Sequence, residues 1–238
     1  MFEVIFEVCP RTENWELYLS TAKELRPLLE SQRGFIENIR YKSLTRPGWV
    51  LSLSDWENEK ALIRWRTQMK HHYAQEAGRQ KILQDYHLRV GETVSDTVPG
   101  SATPATTIGM QQNLNPRQER LDETEVGEAK VVSLVNASFA RTDAQGGQVI
   151  ATAEEMVETI GLQVRGYSGL VAWDVFEAIL TPGEALILYS WIDRNAADHF
   201  LQHVPSTVKR KRQVRVIRDY GMRDRREAPQ YYPDVASS

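Results

Sequence analysis

The chain has 238 residues, 41% of them hydrophobic and 26% charged, with a net charge of −3; this is the balance of a soluble globular protein of one large or two ordinary domains. Its basic residues cluster only at 209–212, which excludes nucleic acid as a main partner, and no apolar run reaches the length of a membrane span. A single cysteine, Cys9, rules out an internal disulfide and fits a reducing, cytoplasmic setting.

Residues 2–8 alternate, with Phe2, Val4, Phe6 and Val8 on one side, which is the period of a half-buried strand. Glu3, Glu7 and the absence of a basic opening make it a strand and not a secretion signal. After Pro10, Asn14 is placed to cap a helix that carries Trp15, Tyr18, Leu19, Ala22, Leu25 and Leu29 at three- and four-residue spacing, tightened near its end by Pro27. Strands are expected at 35–42 and 49–55, joined by a turn at Pro47-Gly48. Trp49, Leu51 and Leu53 form the apolar face of this hairpin, expected as core. Asn38, Arg40, Ser52 and Ser54 form a mixed face, expected on the side of the sheet that helices leave bare. One long helix is predicted over 57–79, with Leu62, Trp65 and Met69 as its stripe. A strand over 82–90 follows, with Asp85, His87 and Arg89 on a shared face.

Residues 92–130 change to a Thr-, Pro-, Gly- and Gln-rich and then acidic composition without sustained period, the mark of a linker. Beyond it, strands are expected at 131–135 and 212–220, helices at 151–160 and 195–203, and a polar tail at 223–238 in which Tyr231 and Tyr232 could dock. Between them lies a repeat. Shifting the chain by 135 positions places the hairpin 34–56 on 169–191 without a gap: Gly34 meets Gly169, Pro47-Gly48 meets Pro182-Gly183, Leu51 and Leu53 meet Leu186 and Leu188, and Trp56 meets Trp191. Each half therefore reads β-α-β-β-α-β, a sheet with helices on one face and a second face that needs cover.

The strand-first opening, WELYLSTAKELRPLLESQRGFIENIRYKSL, WVLSLSDWENEKALIRWR, HHYAQEAGR and DYHLRV together resemble the antibiotic biosynthesis monooxygenase (ABM) domain family. The second half resembles it only through its repeat relation to the first, as a more divergent copy. The resemblance implies an α+β fold of two ferredoxin-like βαββαβ units, 1–91 and 131–222. Their sheets would pair into an α+β barrel, here a pseudo-dimer within one chain, with a homodimer left open. It also implies cofactor-independent oxidation of a small phenolic, anthrone- or quinol-like aromatic by O2. Members that degrade haem, and members that only bind a small molecule or play a structural part, leave those two readings as alternatives.

Candidate chemistry falls on two groups. On a continuous helix His72 lies seven residues after Trp65, on the same face with Met69 between them, where it could serve as base or ligand; the plainer reading makes Trp65 core and His72 a helix-end residue. His71 then faces away, toward solvent. On the strand, Asp85, His87 and Arg89 would join Asn38, Arg40, Ser52 and Ser54 in a charged cluster, with Arg40 or Arg89 holding an anion and His72 or His87 accepting a proton. The plainer reading is a network at the contact of two sheets. Asn38, Trp65 and His72 supply the residue types of the haem branch, but the spacing of Trp65 and His72 does not match it. Without CxxC, HExxH, a phosphate loop or a dinucleotide fingerprint, no metal or nucleotide site is expected. The second half has Gly221 in place of His87, and Ala185, Ile187 and Tyr189 in place of Val50, Ser52 and Ser54, so the chemistry is expected in the first half.

Overall fold

The computed structural model describes residues 1–97, 123–139 and 152–229. The first half runs β1 (Phe2–Pro10), α1 (Trp15–Glu30), β2 (Phe35–Ser43), β3 (Val50–Trp56), α2 (Glu59–Arg66), α3 (Met69–Ala77) and β4 (Leu83–Thr97). The second runs β5 (Val131–Ser138), α4 (Ala153–Thr159), β6 (Leu170–Ala178), β7 (Glu184–Trp191), α5 (Arg194–His203) and β8 (Arg210–Gly221). All neighbouring strands pair antiparallel, in the closed order β1-β3-β2-β6-β7-β5-β8-β4. Each half thus contributes four consecutive staves. The halves meet where β2 pairs with β6 and β4 with β8, so one chain closes the barrel and leaves no exposed sheet edge.

The repeat survives in backbone detail. Gly34 and Gly169 both have positive φ, as do Gly48 and Gly183 in the two turns. The register slips at Phe35/Glu37 in one hairpin and at Leu170/Ala172 in the other. Asn58 accepts a hydrogen bond from the Ala61 amide at the start of α2, and Asp193 does the same for Ala196 at the start of α5, satisfying a helix-end donor in each copy. These pairs also differ by 135 positions, so the 135-residue correspondence of the hairpins extends to the helix starts.

The faces of the hairpin are the reverse of the sequence expectation. Leu51 and Leu53 point into the barrel, where they meet Ile5, Val132, Leu134, Phe176, Leu186 and Val214. The mixed face of Asn38, Arg40, Ser52 and Ser54 lies under the helices, beside a cavity. The reason is closure: an eight-stranded barrel is filled by its own side chains, so the uniformly aliphatic face goes inside. Glu3 and Glu7 go in with it, 0% and 4% exposed, and such charges must be paired. Arg212 lies 3.3 Å from Glu3 and 3.0 Å from Asp55; Glu7 receives Arg46 and Arg89. Burial, added to by Glu3, pushes Asp55 up to about 7. For Glu7 the two arginines outweigh burial and hold its carboxyl below the usual range.

Other boundaries move as well. The predicted helix 57–79 is broken: Thr67 ends α2, Gln68 is extended (φ −64°, ψ 129°), and its side chain caps the new helix by accepting from the His71 amide. A π-helical turn, Gly78–Ile82, leads into β4. Asn14 does not cap α1; its side chain donates to the Lys81 carbonyl at 2.8 Å. Residues 92–97, expected in the linker, continue β4, and 223–229, expected in a polar tail, pack against the first half. Residues 98–122 of the linker and Tyr231 and Tyr232 lie outside the described residues. Among the described residues no helix is long and apolar enough to cross a membrane.

Candidate active site

A cavity of about 240 Å³ lies between the first half's sheet and its helices. Its floor comes from alternate residues of the strands: Val4 and Phe6 of β1, Ser52 and Ser54 of β3, Asn38 and Arg40 of β2, and Tyr86, Leu88 and Val90 of β4. Its roof comes from α1, α2 and α3. Five arginines line it, Arg26, Arg40, Arg66, Arg79 and Arg225, and no Asp or Glu does among the described residues. The last of these arginines follows β8, so the second half closes one wall.

The polar floor is ordered. The Asn38 amide nitrogen donates to Ser52 Oγ and to the Leu53 carbonyl, both at 2.9 Å. Ser54 Oγ accepts from the Trp56 indole at 3.0 Å. Arg40 hydrogen-bonds Tyr18, whose phenol is raised by burial and drawn back in part by that guanidinium. The Arg40 Nε is buried and has no hydrogen-bond partner among the described residues.

The helix break decides which histidine reaches the cavity. Because Gln68 is extended, His71 and not His72 returns to Trp65, and the two rings stack at 4.1 Å with 15° between planes. His71 Nδ1 lies 3.0 Å from the Trp65 carbonyl; an oxygen acceptor there requires Nδ1 to carry the proton and leaves the lone pair on Nε2. Burial lowers His71 to about 4, so the ring is neutral at pH 7. His72 is not part of the lining; its ring meets Tyr73 edge-on, with centroids 6.4 Å apart. Met69 is 68% exposed at the start of α3. Both are corrected by the same break.

The strand group is divided by the sheet. Asp85, His87 and Arg89 lie on the opposite side of β4 from Tyr86, Leu88 and Val90, so they do not join Asn38, Arg40, Ser52 and Ser54. Arg89 is inside the barrel, donating to Ser190 Oγ at 2.7 Å and to Glu7. His87 pairs with Asp219 at 2.6 Å at the barrel mouth, where Asp85 also lies. His87 and Arg89 belong to contacts between the two halves, while Asp85 is exposed and accepts from the Tyr86 amide at 2.8 Å. The structure brings Asn38, Arg40, Ser52 and Ser54, expected on the face that helices leave bare, together with Trp65 of the separate helix group, and adds His71, Tyr86, Arg79 and Arg225, which sequence reasoning missed. Only Tyr86 left a trace, in the Asp85-Tyr86 pair repeated as Asp219-Tyr220.

Among the described residues, the matching positions of the second half are packed. At the equivalent positions Asn38 becomes Trp173, Arg40 Val175, Ser52 Ile187, Ser54 Tyr189 and Trp65 Phe200. These side chains pack into one aromatic and aliphatic cluster, with Tyr189 and Phe200 rings 4.5 Å apart.

Haem does not fit the residues present. Both His71 nitrogens are engaged: Nδ1 on the Trp65 carbonyl, and the Gln75 amide 3.1 Å from Nδ1 and 3.4 Å from Nε2. Its ring lies flat against Trp65. Among the described residues no group of three or more His, Cys, Asp or Glu is placed to hold a metal ion.

The family described as "Antibiotic biosynthesis monooxygenase" matches residues 1–77. A relative from Pyricularia oryzae, "Jasmonate monooxygenase ABM", is 44% identical over 236 residues, covering 99% of this chain and 100% of its own. The chain belongs to the antibiotic biosynthesis monooxygenase family. Two solved structures are more distant. One described as an antibiotic biosynthesis monooxygenase aligns with 39% of this chain and 97% of its own, at 15% identity and a TM-score of 0.34. One described as an anthrone oxidase-like protein aligns with 96% of each chain, at 11% identity and a TM-score of 0.31. Within this ABM chain the family match lies on the half that holds the cavity.

Proposed function

We propose that this monooxygenase-family chain oxidises a small, largely apolar organic anion bound between α1, α2, α3 and the first half's sheet. The observation that supports it is the lining: arginines, a few neutral polar groups and many apolar side chains, to which no described acid contributes. Arg26 is paired with Glu30, and Arg79 and Arg225 are bound to Tyr86, so Arg40 is the arginine on which the reading rests; an anion carried on an apolar body would meet that guanidinium and fill the apolar part of the space. Arg40, with its buried Nε unpartnered among the described residues, is the anchor for the anionic group. Neutral His71 lies flat against Trp65 on the cavity wall.

Jasmonate has this chemistry: a carboxylate arm and an apolar side chain on a cyclopentanone. It is also the compound for which the 44% identical relative is named, so it is the first substrate to try. Hydroxylation at carbon turns a C–H bond into C–OH and reduces the second oxygen atom of O2 to water. It draws two electrons and two protons from an added donor. The second reading is a phenolic, anthrone- or quinol-type aromatic, favoured by the Trp65–His71 stack at the cavity wall. There a ring methylene and O2 give a ring carbonyl and water. The substrate carbanion supplies the electrons, and no cofactor is needed. We read the two halves as two βαββαβ copies, of which the second supports the barrel.

The test is oxygen uptake and product mass with jasmonate and with an anthrone, each with and without reduced nicotinamide and flavin. Jasmonate is expected to gain one oxygen atom only with the donor present. Uptake with the anthrone alone selects the second reading, and no uptake with either compound overturns both.

A further inference from the structure

Tyr86 on β4 lines the cavity with its phenol held in an unusual way. The phenol oxygen accepts from Arg79 Nη1 at 3.0 Å and from Arg225 Nη1 at 2.5 Å. A phenol has two lone pairs and one proton, and a guanidinium has donors only. The two arginines therefore occupy both lone pairs and cannot receive the proton. Among the described residues no acceptor takes it. Tyr86 is 7% exposed and faces the space that Arg79 and Arg225 line with it, so its O–H is a buried donor directed at the cavity contents.

Both arginines are held in place. Arg79 is 4% exposed and also donates to the Met222 carbonyl at 3.3 Å. Arg225 sits in the segment after β8, which Glu227 ties down by accepting from Thr124, Val126 and Asp219. Two cationic donors on one phenol oxygen polarise its O–H and strengthen the bond it makes in turn. They also favour negative charge on whatever oxygen receives that bond.

We propose that Tyr86 binds a carbonyl oxygen of the substrate, donating to it as the charge on that oxygen grows, and that Arg79 and Arg225 position and polarise Tyr86. This rests on the reading of the cavity as the site for a small organic anion. Arg40 stands on β2 and Tyr86 on β4, the two outer strands of the first half, three strand spacings or about 14 Å of backbone apart. Long side chains reach inward from both edges over a floor of Ser52 and Ser54 on β3 and Val4 and Phe6 on β1. The ligand class that matches is an oxo-carboxylic acid: a carboxylate at Arg40, a carbonyl at Tyr86, and an apolar frame between.

The experiment is a cycle of two proteins and two compounds, jasmonate and the analogue in which its ring carbonyl is replaced by a methylene, with binding read by calorimetry. In wild type the carbonyl should strengthen binding. Tyr86→Phe should weaken jasmonate about tenfold, the worth of one buried hydrogen bond, and leave the methylene analogue unchanged. Because this variant removes an acceptor from two arginines, Arg225→Gln serves as the second probe; it leaves the phenol intact and should show a smaller loss, again on jasmonate alone. Equal losses on both compounds, or none on either, overturn the role of Tyr86. Wild-type protein that binds neither compound overturns the substrate reading beneath it.

Discussion

At the scale of single residues, the strongest prediction attaches to His71. Its imidazole is partly buried against Trp65 and lowered to about 4, chiefly because loss of solvent penalises the charged ring. An unfolded chain binds that proton near the ordinary value of about 6.5. Between these values the unfolded state holds more protons than the folded one, so stability is complete above about pH 6.5 and falls as pH drops toward 4. The loss should reach a few kcal/mol. His71→Asn carries no titrating group, so its thermal midpoint should fall less over the same interval when both proteins are melted at about pH 7, 5.5 and 4.5. Parallel declines would show that His71 is not the group that charges. The same neutrality bears on chemistry: His71 keeps its lone pair down to about pH 4, so any acid limb of activity near pH 6 belongs to another group. Sequence inspection chose His72 because seven residues bring it back to Trp65 on an unbroken helix. Gln68 breaks that helix with no Pro or Gly to mark the place, and so the choice between adjacent histidines was not legible from the pattern.

At the scale of elements, the hairpin that repeats at 34–56 and 169–191 sets how each helix meets its sheet. Gly34 has φ +84°, and a Cβ added there would lie 2.7 Å from the Ala61 Cβ; Gly169 has φ +76°, and its Cβ would lie 2.6 Å from the Ala196 Cβ. Each glycine also accepts, at its carbonyl, a hydrogen bond from the residue after the hairpin, Glu57 and Ile192, both at 2.9 Å. The loop thus needs a left-handed backbone and close approach at one point. Gly48 needs only the first: φ is +82° but the nearest atom to an added Cβ is Cys9 Sγ at 3.9 Å. Gly48→Ala should cost about 1 kcal/mol, the strain of a left-handed alanine. Gly34→Ala should cost more, about 2 kcal/mol or above, because the clash adds to it. Urea titration of the two variants gives the order, and a Gly48→Ala loss equal to or larger than that of Gly34→Ala would refute this account. These glycines were legible in the sequence because the repeat preserves them in register. The facing of the strands was not. Alternation shows that Leu51 and Leu53 oppose Ser52 and Ser54, but which set lies under helices depends on the partner sheet, and that sheet comes from residues more than a hundred positions away.

For the whole molecule, two halves of one architecture divide the work unequally. The barrel interior is shared: Ile5, Leu51 and Leu53 from one half meet Leu134, Phe176 and Val214 from the other. Arg212 of β8 serves Glu3 and Asp55 of the first half, and Arg46 reaches Asp174 of β6 at 2.6 Å. The outer faces are not shared. Beneath the first half's helices, Asn38, Arg40, Ser52 and Ser54 are too small or too polar to fill the layer, and a cavity remains. Beneath the second half's helices, Trp173, Val175, Ile187, Tyr189 and Phe200 stand at the matching positions and fill it. Tyr189 and Trp191 are fully buried there, and Tyr189 donates from its hydroxyl to the Gln163 carbonyl at 2.9 Å, so this layer is packed and satisfied. A cavity beneath one half's helices and a filled layer beneath the other's should therefore give one bound ligand per chain, not two. Calorimetric titration with a tight ligand is expected to give a stoichiometry of one per chain. Arg40→Leu should abolish that binding event, since it removes the anchor while keeping an apolar side chain at the same place. Val175→Arg, the reverse change in the second half, should not create a second event; it should destabilise the chain, because it buries an unpaired charge in a filled core. A stoichiometry of two in the wild type, or residual full-strength binding in Arg40→Leu, would show that the second half holds a site that its packed aromatic layer does not suggest.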